Sequence, residues 1–242
     1  MRKKEFEKKY FTSGNFLTHP TSGVLTTYYW ARRFYAGLVK KDITSGKILE
    51  IGCSYGDLLS HFGKNYQTFG VEVSKFACEE AKKRFSDLKI INQDALRYLK
   101  SLPDNSFNAV IQICVIPHMD NPEAVFREIA RVLKNGGIFF SVTPNPDYPL
   151  NKLKGEKSGM FVDKTHKHLF SNKKWIELIE NSGLKVVKKG ANGWWDVPYL
   201  PIIPGFIQLI IFAWPAAVQI LVGKIILPSW LGVELLLVVR KT

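Results

Sequence analysis

Residues 48–57 read ILEIGCSYGD, and this stretch decides the fold of the 242-residue chain. A short apolar strand ends at Ile51, Gly52 and Gly56 then frame a turn, and a helical pattern starts at Asp57. Glycines at such a turn let the backbone bend sharply and pass close to a ligand. Strand, turn and helix in this order are typical of the first unit of a doubly wound α/β sheet.

The rest of the chain repeats this alternation. Strands are predicted at 47–51, 66–73, 89–92, 107–116, 136–143, 184–190 and 232–240. Helices are predicted at 57–62, 74–85, 95–102, 122–135 and 172–183. Strands that alternate with helices of this kind are expected to pair in parallel. We therefore predict an α/β fold with a doubly wound, seven-stranded, mostly parallel sheet.

Composition and charge narrow the class of protein. The chain is 46% hydrophobic and 23% charged, with three cysteines, which fits a folded domain in a reducing compartment. The basic N-terminus lacks the apolar core of a secretory signal. Residues 1–41 hold nine basic and two acidic side chains, and residues 150–190 hold ten and four. This excess predicts either a solvated surface or one that attracts phosphate groups of lipid or nucleic acid.

The acidic residues after the first strands suggest the kind of ligand. The turn lacks the G-x-G-x-x-G spacing that cradles a dinucleotide pyrophosphate. Glu50, two residues before Gly52, suits a ligand with a positively charged end. Glu72 ends the second strand, where an acid accepts hydrogen bonds from ribose hydroxyls. Asp94 follows the third strand, where the base of a nucleoside could reach.

Six stretches carry a family resemblance: LEIGCSYG, GVEVS, NQDAL, LPDNSFNAV, VIPHMDNPEAVFREIARVLKNGG and TPN. In this order they resemble the motifs of class I S-adenosylmethionine-dependent methyltransferases, over about residues 46–190, and the strand at 232–240 also fits. The chain looks similar to the quinone-type and small-molecule O-methyltransferases of this family. The resemblance implies a Rossmann-like methyltransferase fold and S-adenosylmethionine as cofactor.

The resemblance also implies which residues bind the cofactor. Glu50 and the glycine turn would meet its methionine end, Glu72 its ribose, and Asp94 with the following residue its adenine. Cys114, at the end of the fourth strand, would lie near the methionine portion. The full implied set is Glu50, Gly52, Cys53, Ser54, Gly56, Glu72, Asp94, Ala95 and Cys114.

Three positions depart from the family pattern. Ser54 replaces the middle glycine of the usual turn, Asn108 replaces an acid near the start of the fourth strand, and Pro117 replaces an acid before His118. We expect the change at Asn108 to be structural. Together the departures leave open a protein that binds the cofactor without catalysing transfer.

Histidines are the candidate catalytic residues. His118 follows the fourth strand, and His166 and His168 lie in a segment that resembles one closing over the acceptor in related O-methyltransferases. A histidine with a pKa near 6.5 suits proton removal from a phenol or enol. We take His118 and His166 as the candidates for this role. Asp163 with His166 and His168 could also be metal ligands, but no cluster of cysteines or acids supports this, and we predict no metal site.

Motifs that the sequence lacks exclude several classes of methyl acceptor. The fourth strand is followed by CVIPHM rather than the N/D-P-P-Y stretch of enzymes that methylate amino groups of DNA bases or glutamine. Neither Cys53 nor Cys114 follows a proline, as the nucleophile of a cytosine-C5 enzyme would. Nucleic acid is therefore not the expected acceptor. An oxygen, or less often a carbon, of a small molecule or lipid is expected.

One apolar stretch interrupts the pattern before the last strand: IIPGFIQLIIFAWPAAVQILVGKIILP, residues 202–228, with Lys224 as its one charge. A helix over 202–223 would be roughly 33 Å long, enough to cross a bilayer. A crossing would place two strands of one sheet on opposite sides, so we exclude it. Pro204, Pro215 and Pro228 instead predict a hairpin of two short helices joined at Trp214–Pro215.

The hairpin must be covered by lipid or protein. Flanking tryptophans and nearby basic charge favour peripheral association with the inner face of a membrane. A substrate lid or a homodimer interface is the alternative. We predict four regions: a basic helical arm at 1–41, a cofactor-binding core at 42–195, the hydrophobic insert at 196–231 and a final core strand at 232–242. The expected function is O-methylation of a hydrophobic or lipid-linked molecule by a cytoplasmic, membrane-associated enzyme.

Overall fold

A seven-stranded sheet with helices on both faces organises the computed structural model, which describes residues 6, 8–12 and 27–242. The strands lie in the order β3-β2-β1-β4-β5-β7-β6. Their bounds are β1 Gly46–Ile51, β2 Tyr66–Glu72, β3 Lys89–Asn92, β4 Phe107–Ile113, β5 Leu133–Pro144, β6 Leu184–Ala191 and β7 Glu234–Lys241. Only β7 runs antiparallel to its neighbours, so the predicted mostly parallel sheet is confirmed.

Helices connect the strands and flank the sheet. Their bounds are α1 Lys8–Thr12, α2 Thr27–Asp42, α3 Lys75–Arg84, α4 Ala95–Ser101, α5 Pro122–Val132, α6 Asn151–Lys154, α7 Gly159–Val162, α8 Asn172–Glu180 and α9 Gly205–Val222. The predicted helix at 57–62 is only a short 3-10 turn, Leu59–His61. The predicted arm at 1–41 lies partly outside the described residues; within them, α2 packs into the core through Phe34, Leu38 and Val39.

The core has two layers, one on each side of the sheet. Along β1, Ile48 packs with α2 and α3, whereas Leu49 and Ile51 pack with α4, α5 and α8. This alternation follows from the two-residue period of a strand, and both faces being apolar explains why the strands read as continuous apolar runs. The carboxyl ends of β1 to β6 and the start of β7 share one edge of the sheet, here called the site edge.

The apolar stretch before β7 is one helix, and the predicted hairpin is wrong. Helix α9 runs unbroken from Gly205 to Val222, with Pro215 inside it and Pro204 at its N-cap. Among the helices that the structure describes, α9 is the one that is long and apolar enough to cross a membrane, with 18 residues and a mean hydropathy of 2.0. A crossing remains excluded, because β6 before it and β7 after it are hydrogen-bonded neighbours.

Two glutamines explain why the helix continues through its proline. Gln208 and Gln219 are eleven residues apart, about three helical turns, so an unbroken helix places both on one face. Gln208 accepts hydrogen bonds from the amides of Tyr199 and Leu200 and donates to the carbonyls of Leu200 and Ile203. Gln208, Pro215 and Gln219 are the three buried residues of α9.

The outward side of α9 is apolar and exposed. Phe206 is 69% exposed, Ile210 75% and Leu221 85%, and Ile202 just before the helix is 93% exposed. Only 17% of the residues of α9 are buried, so this helix is unlike the mostly buried core helix of a globular domain. The usual arrangement is therefore largely inverted: both glutamines of α9 face the protein and most of its apolar side chains face outward, while Phe212 packs against Tyr199.

Candidate functional site

The first turn lies at the site edge in a conformation that its sequence explains. Gly52, Ser54 and Gly56 all have positive φ, at 67°, 48° and 81°. A Cβ at Gly52 would lie 2.3 Å from a methyl carbon of Val115, so the turn and the loop after β4 approach too closely for any side chain. Ser54 takes the left-handed conformation without being glycine, which accommodates this departure from the family pattern.

Glu72 lies where the sequence places it, at the end of β2. Its Oε1 accepts a hydrogen bond from the amide of Ser74 (2.9 Å) and its Oε2 one from the amide of Ser54 (3.1 Å). Burial raises the pKa of the Glu72 carboxyl, and these backbone hydrogen bonds oppose the rise. Each carboxylate oxygen has a second lone pair, so the group can also accept hydrogen bonds from ribose hydroxyls.

Three buried polar atoms without a partner surround the first turn: Oε2 of Glu50, Oγ of Ser54 and Oδ2 of Asp57. Buried polar groups are almost always hydrogen-bonded, so such a set marks a place for a ligand with donors. S-adenosylmethionine carries an ammonium group and hydroxyl groups that meet this need. The first turn therefore fits the cofactor, and Asp57 joins the residues that the sequence predicted.

The adenine candidates lie one strand further along the same edge. Asp94 is the N-cap of α4, where its Oδ1 accepts a hydrogen bond from the amide of Arg97 (3.0 Å), and Ala95 is the first, buried residue of α4. Asn92 ties this loop to β2, because its Nδ2 donates to the carbonyls of Glu72 and Val73. The capping role is local, and contact of Asp94 or Ala95 with adenine stays a prediction.

Cys114 lies at the end of β4 beside an acid that the sequence analysis missed. Its φ is 53°, and its Sγ donates a hydrogen bond to Oε1 of Glu234, 3.4 Å away. Asn192 and Tyr35 donate to the other carboxylate oxygen of Glu234, at 2.6 and 3.3 Å. Burial raises the pKa of Glu234, and the charge of Arg32 opposes the rise. An acid at the start of the apolar run ELLLVV is the signal that would have identified it.

The structure brings His118 and His166 together. Their rings stack with centroids 4.4 Å apart. Backbone hydrogen bonds from Lys167 and His168 to the carbonyl of Pro117 hold the two loops against each other. Nδ1 of His166 lies 2.8 Å from the carbonyl oxygen of Met160, and because a carbonyl oxygen only accepts, Nδ1 is the donor of this hydrogen bond.

An acid supports His118 through a hydroxyl group. Nδ1 of His118 lies 2.9 Å from Oγ1 of Thr165, which also hydrogen-bonds Oδ1 of Asp163. Tyr10 donates to the other oxygen of Asp163 (3.0 Å). Burial, helped by the adjacent His166 and opposed by Asp163, lowers the pKa of His118 to about 4. His118 is therefore held neutral at physiological pH.

The same cluster bears on the metal hypothesis. Ligand-type atoms of His118, Asp163 and His166 lie within 4.8 Å of one another, so His118 takes the place that the sequence analysis gave to His168. The ring of His168 instead packs against Phe170, 5.0 Å between centroids. Asp163 already accepts hydrogen bonds on both oxygens. A hydrogen-bonded relay describes these contacts more directly than a coordination site.

Asn108 lies away from the site edge, as a structural residue. Its Oδ1 accepts hydrogen bonds from the amide of Lys47 and from Nζ of Lys134. These contacts tie the start of β4 to the start of β1. The expectation that this departure is structural is confirmed.

Comparisons with known proteins identify the family of the chain. The family model described as "Methyltransferase domain" matches residues 26–189. A sterol 24-C-methyltransferase of Gibberella zeae is 34% identical over 101 residues, 38% of this chain and 26% of that protein. A ubiquinone/menaquinone biosynthesis C-methyltransferase of Desulfotalea psychrophila is 31% identical over 103 residues, 40% of each chain. The chain thus spans about a quarter and two fifths of these relatives.

A solved structure supports the fold. A SAM-dependent methyltransferase from Archaeoglobus fulgidus superposes with a TM-score of 0.60 at 17% identity, over 87% of this chain and 94% of that one. The family model covers well over half of the chain and includes the first turn, Glu72, Cys114 and the histidine pair. The chain belongs to the methyltransferase domain family and has the class I fold, and S-adenosylmethionine is the cofactor that this family indicates.

Proposed function

We propose that this protein methylates an oxygen of a hydrophobic, lipid-like small molecule at a membrane surface, as a member of the quinone-type and small-molecule O-methyltransferases. One observation carries the proposal: the exposed apolar helix α9 is attached to the site edge. Nε2 of Gln219 donates to the carbonyls of Ala191 and Asn192, and Asn192 in turn holds Glu234 beside Cys114. An acceptor that leaves an apolar phase along α9 would therefore arrive next to the cofactor.

The chemistry asks little of the protein beyond position and a base. S-adenosylmethionine, when bound, supplies an electrophilic methyl group for in-line displacement. A hydroxyl acceptor must lose its proton, and neutral His118 is placed to take it. Asp163 would stabilise the resulting positive charge through Thr165. His166, stacked on His118, is the second candidate for this step.

The inverted polarity of α9 supports a membrane as its surroundings. A helix whose polar residues face the protein and whose apolar residues face outward is suited to an apolar medium. Exposed basic residues lie on neighbouring segments, at Lys41, Lys152, Lys157 and Lys224. Apolar insertion together with basic charge is the two-part arrangement that stable peripheral binding requires.

The charge and the cysteines support a particular membrane face and compartment. The anionic lipids that attract basic segments are concentrated in the cytoplasmic leaflet. A chain with three cysteines, an odd number, is also suited to a reducing compartment. We therefore place the protein in the cytoplasm, on the inner face of a membrane.

The relatives agree with an apolar acceptor but differ in the atom. Their names refer to sterols and to ubiquinone or menaquinone, which are apolar molecules, and both are named as C-methyltransferases. The histidine relay offers a general base for a hydroxyl acceptor, which must lose its proton. Methylation of carbon also releases a proton, so the position of the methyl group in the product separates the two acceptors. An oxygen acceptor makes activity strongly dependent on His118.

Mass spectrometry tests the proposal directly. Membrane lipid extract is incubated with the protein and S-adenosylmethionine carrying a deuterated methyl group, and labelled products are sought. We expect a labelled apolar product whose fragmentation places the methyl on oxygen, and a His118→Asn variant that forms it on the order of a hundredfold more slowly. A labelled carbon, or label only in water-soluble products, would overturn the proposed acceptor.

A homodimer joined through α9 is the competing explanation of the exposed face. Size-exclusion chromatography with light scattering, without detergent, separates the two. A defined dimer that does not bind vesicles would contradict the membrane proposal.

A further inference from the structure

The carboxylate of Asp196 connects the segment between β6 and α9 with the short helix α7. Its Oδ2 accepts a hydrogen bond from the backbone amide of Gly159, the first residue of α7, at 3.1 Å. The hydroxyl of Ser158, the N-cap residue of α7, instead hydrogen-bonds Oδ1 of Asn151 at 3.1 Å. The first amides of a helix need partners from outside the helix. Asp196 supplies one of them from a distant part of the chain.

The residue that follows Gly159 orients His166. The carbonyl oxygen of Met160 accepts the hydrogen bond that Nδ1 of His166 donates over 2.8 Å. Met160 is buried, so its place depends on how α7 packs. A neutral imidazole that donates through Nδ1 keeps its lone pair on Nε2, and the partner of one ring nitrogen decides the state of the other. The position of α7 therefore decides which nitrogen of a neutral His166 can accept a proton.

Asp196 is itself held in place by a buried charge pair. Its Oδ1 lies 2.8 Å from Nζ of Lys154, and the two side chains are 17% and 6% exposed. The ammonium group of Lys154 also lies 5.6 Å from the ring centre of Tyr199. Gln208 of α9 accepts the backbone amide of Tyr199, three residues after Asp196. Solvent ions screen such a buried pair little, so it joins α7 to the segment that fastens α9.

We propose that Asp196 is a positioning residue for methyl transfer, which holds α7 so that His166 keeps its ring proton on Nδ1 and offers Nε2 as the proton acceptor. The inference rests on the proposed function, in which the stacked pair of His118 and His166 takes the proton of the acceptor. It gives the region before β7 a second part in the reaction, because the segment that fastens α9 also orients a histidine of the site.

The alternative role of Asp196 is to neutralise Lys154 and nothing more. Asparagine keeps an oxygen that can accept the amide hydrogen of Gly159 but loses the charge, whereas alanine loses both. Substitution of Asp196 alone would also leave a buried lysine without its partner, which destabilises the protein under either role. Both substitutions at position 196 are therefore made together with Lys154→Met.

Two-bond proton–nitrogen correlation spectra of the histidine rings report the tautomer directly, and His166→Gln assigns the signal of His166. The spectra are recorded at about pH 8, above the ordinary histidine pKa of about 6.5. We expect the proton on Nδ1 in wild type, in Lys154→Met and in Lys154→Met with Asp196→Asn. In Lys154→Met with Asp196→Ala we expect a shift towards the tautomer with the proton on Nε2, which neutral histidine favours in water.

Asp147→Ala is the matched control. Oδ2 of Asp147 accepts a hydrogen bond from the amide of Asn172, the first residue of α8, at 2.8 Å, as Asp196 does at α7. Helix α8 carries neither of the candidate catalytic histidines, so His166 should keep its tautomer in this variant. The unfolding midpoint of each variant shows that it folds.

Methyl transfer from S-adenosylmethionine to membrane lipid extract gives the second readout. Relative to Lys154→Met, we expect the added Asp196→Ala to lower the rate about tenfold to a hundredfold, because a catalytic group is displaced. The affinity for S-adenosylmethionine in calorimetry should not change, and Asp196→Asn should keep most of the rate. An unchanged tautomer with alanine, or equal behaviour of asparagine and alanine, would overturn the proposal. A tautomer that depends on Asp196 in a protein that methylates no lipid would support the hold on His166 and contradict only the proposed acceptor.

Discussion

Nε2 of Gln219 donates a hydrogen bond to the carbonyl oxygen of Ala191, 3.0 Å away, and so joins the exposed apolar helix to the last residue of β6. The same side chain accepts hydrogen bonds through Oε1 from the amides of Ile226 and Leu227, at 2.8 and 3.0 Å. One buried glutamine thus fixes both the helix and the chain that returns from it to the sheet.

Removing this amide should destabilise the protein. In Gln219→Leu the two amides and the carbonyl of Ala191 lose a buried partner, and we expect a loss of about 1–3 kcal/mol in the free energy of unfolding. Urea unfolding followed by circular dichroism measures it. Leu221→Ala is the control. Leu221 lies on the same helix and is 85% exposed, so its removal should change the free energy of unfolding by less than about 0.5 kcal/mol. Equal effects of the two substitutions would contradict the anchoring role.

Charges on the outward side of α9 should weaken membrane binding without unfolding the protein. Phe206→Glu and Ile210→Glu place an acid at positions that the protein itself does not bury. In flotation with vesicles of phosphatidylglycerol and phosphatidylcholine, we expect wild type to float and both variants to remain in the dense fractions. Val187→Glu, an exposed residue on edge strand β6, is the control for added charge. Flotation of all proteins alike would argue against α9 as the contact.

The basic residues should make the same binding sensitive to salt. Electrostatic attraction to anionic headgroups is screened as ionic strength rises, whereas apolar insertion is not. We expect flotation to fall with added salt, and to be weaker on vesicles of phosphatidylcholine alone. Binding that ignores both salt and headgroup charge would exclude a contribution from the basic residues.

Removal of the Glu72 carboxylate should weaken cofactor binding. Its carboxylate accepts hydrogen bonds from the amides of Ser54 and Ser74 and would also accept hydrogen bonds from the ribose hydroxyls. We expect Glu72→Ala to lower the affinity for S-adenosylmethionine by at least about tenfold in calorimetry. Glu80→Ala, at a partly exposed carboxylate of α3 paired with Lys83, is the control. Unchanged binding by Glu72→Ala would remove Glu72 from the site.

His118 should make stability depend on pH. Burial, with the adjacent His166 acting in the same direction, lowers its pKa to about 4, whereas an unfolded histidine titrates near 6.5. As the pH falls from about 6.5 towards 4, the unfolded chain takes up the proton first, so the stability that neutral His118 contributes above this window is lost. The difference in unfolding free energy between wild type and His118→Asn should shrink over this range. A constant difference would show that His118 titrates normally.

Much of the fold follows from local sequence patterns. The seven strands were predicted close to their observed positions because each is an apolar run between turns, and a strand buried on both faces leaves that signal. The end of β4 was placed too late, since the apolar letters continue to Ile116 whereas the backbone turns at Cys114 with φ of 53°. A change of backbone direction within an apolar run leaves no trace in hydrophobicity.

The sequence predicted those residues of the site that follow a strand in a known motif, and it missed those that lie outside any motif. Glu50, Glu72 and Cys114 were identified because each follows a strand in a recognisable motif. Arg32 and Glu234 belong to no motif and reach the site from a helix before the sheet and from its antiparallel strand. The support of His118 by Asp163 through Thr165 joins residues 47 positions apart, a separation that sequence spacing does not encode.

By itself, the sequence determined the order of strands and helices, the glycine turn of the cofactor site and the presence of a long apolar stretch, because these depend on neighbouring residues. The tertiary structure decided that this stretch is one helix through Pro215, because two glutamines eleven residues apart find buried partners only on a continuous helix. It also decided that the helix lies at the site edge. Both decisions depend on contacts between residues far apart in the chain, which satisfy buried polar groups that no local pattern can pair.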